Sequence, residues 1–166
     1  MVLSYTQETN QSFKDRIAWW YAKLKNIRLK IWKDPWLDFM LCWMIFDAYL
    51  TEISQCEKDR DKLNYFYQHN TEFKKQILKN WQSLLGYVTS LKRLSPVKNM
   101  RPNSRQTVSL TNENNLDEVF NFIYQIRCNL FHGAKNVKNE RDAELVRYGA
   151  KFLRCCIDVW MRGELK

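Results

Sequence analysis

The stretch Leu116-Asp117-Glu118-Val119-Phe120-Asn121-Phe122-Ile123-Tyr124-Gln125-Ile126-Arg127-Cys128-Asn129-Leu130-Phe131-His132-Gly133 decides how this chain is read. Leu116, Val119, Phe120, Ile123, Ile126 and Leu130 recur at steps of three and four, the spacing that lines one face of an α-helix. Thr111 to Asn115 offer several capping side chains ahead of it. Gly133 stands just past its end, where helices commonly unwind. The helix therefore closes on Arg127, Asn129 and His132, the last being one of only 2 histidines in the chain.

The same period organises the rest. Over residues 5–33, Phe13, Ile17, Trp20, Leu24, Ile27 and Ile31 share a face, while lysines line the others. Asp34-Pro35 pairs a good N-cap with a good first helical residue and predicts a second helix to about Ile53. That helix is apolar nearly all round, which marks it as central, and Asp47 within it needs a partner. Residues 57–68 form a shorter charged segment, with His69 at its end as a surface or capping residue. A helix over 72–91, capped by Asn70 or Thr71, carries Phe73, Ile77, Trp81, Leu84, Leu85 and Val88. A last helix over 140–162 buries Ala143, Val146, Ala150, Leu153, Ile157 and Trp160. The expected fold is all-α: one domain over 1–166, a bundle of four long helices plus one short helix.

Composition agrees. Only 4 glycines and 3 prolines occur, fewer than a turn-rich β fold wants. The net charge of +9 favours a polyanionic partner, nucleic acid or an anionic membrane surface. From Lys92 to Ser109 the helical pattern breaks, and the charged residues there are all basic. This is either a solvated flexible loop or a phosphate-tracking one using Lys98, Arg101 and Arg105, with Lys135 adding to the basic surface. The 5 cysteines lack CxxC spacing, so they read as free thiols and not as a metal site. The first twelve residues lack an apolar targeting core. The longest apolar run is far short of a membrane span, so a soluble, cytoplasmic protein is expected.

Arginine and histidine near a helix end suit phosphodiester chemistry. Histidine can take or give a proton near neutral pH, and the guanidinium fork complements a phosphate whose charge grows in the transition state. Five residues is about 500° of helix, so Arg127 and His132 point about 140° apart unless the helix unwinds at Gly133. Asn129 can orient either group or bind substrate. No cluster of carboxylates offers a metal site, so neither metal nor cofactor is expected. The bland alternative is that this pair only caps carbonyls and answers the helix dipole.

Arg127-Cys128-Asn129-Leu130-Phe131-His132-Gly133 resembles the R-x4-6-H signature of the HEPN superfamily (higher eukaryotes and prokaryotes nucleotide-binding domain). The stretch Phe39 to Leu50, with Trp43-Met44-Ile45-Phe46-Asp47-Ala48-Tyr49 at its centre, resembles the W-x2-F-[ND]-A-[LY] helix of many bacterial members. The resemblance implies a two-fold dimer with two motifs in one composite cleft. Its activity would be metal-independent endoribonuclease cleavage in a toxin–antitoxin or phage-defence setting, leaving 2′,3′-cyclic phosphate. Arg127 and His132 would be the catalytic pair, supported by Asn129 and by Asp47. Partners would be RNA, a second copy and an antitoxin or defence protein, with no membrane. Ala134 stands where HEPN toxins controlled by a nucleotidyltransferase often carry tyrosine, which argues against that regulation. The competing expectations are a non-catalytic HEPN domain that binds RNA, nucleotide or protein, and a basic membrane-surface protein.

Overall fold

Asp34 opens the structural account. Its carboxylate accepts hydrogen bonds from the backbone N–H groups of Trp36 (3.0 Å) and Leu37 (3.3 Å), and Pro35 follows it as the first helical residue. Helix α1 (Pro35–Ser54) starts there and ends at Gln55, which adopts a left-handed conformation (φ 54°). The computed structural model describes residues 15, 17–23, 34–100, 103–131 and 139–164. The elements after α1 are α2 (Asp59–Gln68), α3 (Glu72–Lys79), α4 (Trp81–Arg93), strands β1 (Val97–Lys98) and β2 (Thr107–Val108), α5 (Leu116–Phe131) and α6 (Glu140–Glu164). The protein is mostly helical, as periodicity predicts. Residues 17–23 are helical as well, and the remainder of the 5–33 expectation lies outside the described residues apart from Asp15.

Two predicted boundaries change. The helix expected over 72–91 is two helices, because the chain breaks at Asn80 (φ −108°, ψ 17°). Asn80 Nδ2 donates to Gln76 O, and Asn80 O accepts from Ser83, so the local polar groups satisfy a bend that apolar spacing does not reveal. The stretch 92–109 is not simply a loop. Val97 pairs with Val108 and Lys98 with Thr107 in an antiparallel ladder, and buried Val97 and Leu110 anchor it to the core.

The core is aromatic. Phe46 of α1 lies within 4.7–6.5 Å, ring centre to centre, of Trp43, Tyr49, Phe66, Phe73 and Phe120. It thereby joins α1, α2, α3 and α5, and Phe120 passes the contact on to Phe152 of α6. Helix α6 packs on α1 so closely that a Cβ at Gly149 would stand 2.8 Å from the Phe39 ring. Arg154 of α6 is ion-paired with Asp38 of α1, and Tyr21 donates a hydrogen bond to Asp158 (2.6 Å). Helix α5 is buried on most sides because the β1–β2 hairpin covers the flank that the helices leave open. Among the described residues no helix is long and apolar enough to cross a membrane.

Candidate functional site

Helix α5 begins at Asn115, and its first turn also ties back to residues 111 and 112. Asn115 Oδ1 accepts from the Glu118 N–H, and Glu118 Oε1 accepts from the backbone N–H groups of Thr111 and Asn112 and from the Thr111 hydroxyl. Partial burial alone would raise the Glu118 pKa. These hydrogen bonds and the nearby Lys92 charge outweigh it and hold the group below its ordinary value. With its start fixed, α5 presents Arg127 one turn before its last residue, Phe131.

Arg127 is held on several sides. Its Nη1 lies 2.9 Å from Asp59 Oδ2 on α2. The centre of its guanidinium is 4.7 Å from the Phe131 ring, 5.7 Å from Trp43 and 6.0 Å from Tyr124. A guanidinium against aromatic rings gains cation–π attraction. Nε is buried and donates no hydrogen bond to a described residue. The arrangement is a cation held in place by one carboxylate and three rings.

Asp47 connects to this cation through two intermediaries. Both its oxygens accept from Lys62 Nζ, at 3.1 and 3.3 Å. Lys62 is buried and also lies 3.8 Å from Asp59, which pairs with Arg127. The four side chains form an alternating chain, Asp47–Lys62–Asp59–Arg127, running from α1 through α2 to α5. Lys62 answers the need of Asp47 for a partner. Sequence reading missed Lys62 and Asp59: they sit in a charged segment that reads as solvated surface, and no local signal couples that segment to α5.

Asn129 is engaged within the fold. It is buried, and its amide holds the hairpin. Oδ1 accepts from Met100 N (3.1 Å) and Gln125 Nε2 (3.0 Å), and Nδ2 donates to Lys98 O (2.8 Å). Three of the four hydrogen bonds available to a carboxamide are thus used within the fold. Its role is to dock residues 98–100 onto α5.

Of the other expected site residues, Lys98 and Arg105 are exposed on the hairpin. His132, Arg101 and Lys135 lie outside the described residues. His69 caps α2, with Nδ1 2.7 Å from Tyr65 O and its ring stacked on Tyr65. Tyr124, beside Arg127, has its pKa pushed up to about 12 by burial, then by its hydrogen bond with Cys128 and the Cys128 and Asp59 charges, so its phenol stays neutral. Comparison with known protein families, curated proteins and solved structures finds no match.

Proposed function

We propose that this chain contributes half of a metal-independent endoribonuclease site of the HEPN type, completed by a second copy. The observation that carries the reading is Arg127. It is fixed by Asp59 and three rings at the end of α5, five positions ahead of His132. A pre-positioned guanidinium is what a phosphorane's growing charge requires. In this reading one His132 takes the proton of a 2′-hydroxyl as its oxygen bonds to phosphorus. The P–O5′ bond breaks, and His132 of the second copy protonates the leaving 5′-oxygen, so a 2′,3′-cyclic phosphate and a 5′-hydroxyl result. Exposed Lys98 and Arg105 would attract the RNA backbone without reading sequence. Leu37, Met40 and Met44 form an exposed stripe on α1 that ends at Asp47, and exposed Phe131 closes α5. These apolar surfaces favour contact with another copy.

The test is RNA cleavage in EDTA by the wild type, Arg127→Ala and His132→Ala. Each variant is expected to lose about 100-fold or more, and equal activity in all three would refute the proposal. The contacts of Arg127 also favour a second reading, a non-catalytic RNA-, nucleotide- or protein-binding HEPN domain, because an arginine paired to Asp59 and packed on rings is equally a structural staple. Salt-sensitive RNA binding without turnover, unchanged in His132→Ala, would select it.

A further inference from the structure

Next to Arg127 lies a cleft of about 260 Å3. One stripe of α5 supplies Asn121, Tyr124, Gln125 and Cys128. The hairpin supplies Asn99, Gln106 and Val108, and α2 supplies Arg60. Tyr124 is shared: it lines the cleft and also lies 6.0 Å from the Arg127 guanidinium.

The lining selects a ligand class. The carboxamides of Gln106, Asn121 and Gln125 and one phenol bring donors and acceptors together, without a carboxylate. A phosphate would want more than the single cation Arg60, and a hydrocarbon would match none of the polar groups of this lining. A flat, neutral heterocycle with donor and acceptor edges satisfies them, and Tyr124 and Arg60 in the lining are side-chain types against which such rings pack. The size agrees, being below the roughly 300–1,000 Å3 of sites for drug-sized ligands. Part of the wall is preset, because Gln125 Nε2 is engaged with Asn129 Oδ1 (3.0 Å). Gln125 therefore offers its carbonyl, an acceptor for a ring N–H or an exocyclic amine.

We infer that this cleft binds one unstacked nucleobase and gives the protein a base preference beside Arg127. The base belongs to an RNA strand or to a free nucleotide, and the inference rests on the RNA reading of the Arg127 site for its biological use. Binding is measured independently of cleavage, with the His132→Ala protein and labelled hexamers of rA, rC, rG and rU in EDTA, and with the four nucleoside monophosphates as a second arm.

The hexamers are expected to differ by about tenfold or more between best and worst base. Asn121→Ala and Gln106→Ala, substitutions of half-buried and exposed residues that spare Arg127, are expected to flatten that preference while the salt-dependent affinity persists. Preference among hexamers alone assigns the cleft to RNA, and preference among monophosphates as well assigns it to free nucleotides. Equal affinity for all four bases, or a preference untouched in both variants, overturns the inference even where wild-type cleavage stands. Base preference in a protein whose wild type never cleaves would uphold the cleft and remove the ribonuclease.

Discussion

Replacing Lys62 with methionine isolates the charge chain behind Arg127. The thioether keeps most of the buried stem's volume and removes only the ammonium. In the native fold that ammonium lies 3.1 Å from Asp47 and 3.8 Å from Asp59. At an effective dielectric of about 20 these separations are worth about 5 and about 4 kcal/mol of gross attraction, largely offset by desolvation of the ammonium. The measurable loss comes from what is left behind. Asp47 and Asp59 have side chains only 31% and 29% exposed; Asp59 keeps Arg127, but Asp47 loses its cation.

Breaking a fully buried pair costs about 3–5 kcal/mol. With carboxylates that water still reaches, about 2–3 kcal/mol is expected, which lowers the thermal midpoint by about 5–10 °C for a chain of this size. Thermal unfolding followed by circular dichroism gives the number. Repeating it in 0.5 M salt separates this pair from a fully screened surface pair. Lys62→Met/Asp47→Leu is expected to recover most of the loss, because it also removes the stranded charge. A single variant melting with the wild type, or a double variant no better than the single, would refute the reasoning.

Other consequences are equally direct. Gly86→Ala, with nothing within 4 Å of the new Cβ, should stabilise α4 by about 0.5–1 kcal/mol. Gly149→Ala should destabilise by about 1 kcal/mol as its methyl meets the buried Phe39 ring, and comparative melting reads both. Asn129→Ala should cost about 1–3 kcal/mol by stranding Lys98 O and Met100 N, and should speed proteolysis within 98–106. Burial raises the thiol pKa of both Cys42 and Cys156, so a thiol reagent at pH 8 should modify half-buried Cys56 before either, as peptide mass mapping would show. Burial also lifts Tyr124 to about 12, above its ordinary value of 10.0. A group raised on folding stabilises fully below its unfolded pKa and loses that contribution as pH climbs through the folded one. Stability should therefore fall between about pH 10 and 12, and Tyr124→Phe should shrink the fall.

Chain-local physics carried much of the fold. Asp34 before Pro35, Thr71 before α3, and Asn115 with Glu118 before α5 act within one helical turn, so their roles are legible in order along the chain. The apolar steps of α1, α5 and α6 are equally local. The break at Asn80 was missed because it leaves the apolar period intact. The hairpin was missed because two-residue strands have no period to read.

The site divides in the same way. Arg127 stands out in the sequence because a helix-end arginine ahead of a histidine is a short-range pattern. Its setting depends on which helices become neighbours. Asp59 reaches it from α2, Trp43 from α1, and Asn129 spends its amide on Lys98 and Met100 across the hairpin. Hydrogen bonds and ion pairs act over a few ångströms in space, whatever the separation along the chain. The sequence by itself determined the helices and marked the arginine; packing decided that Asp47, Lys62 and Asp59 stand behind it and that Asn129 holds the hairpin in place.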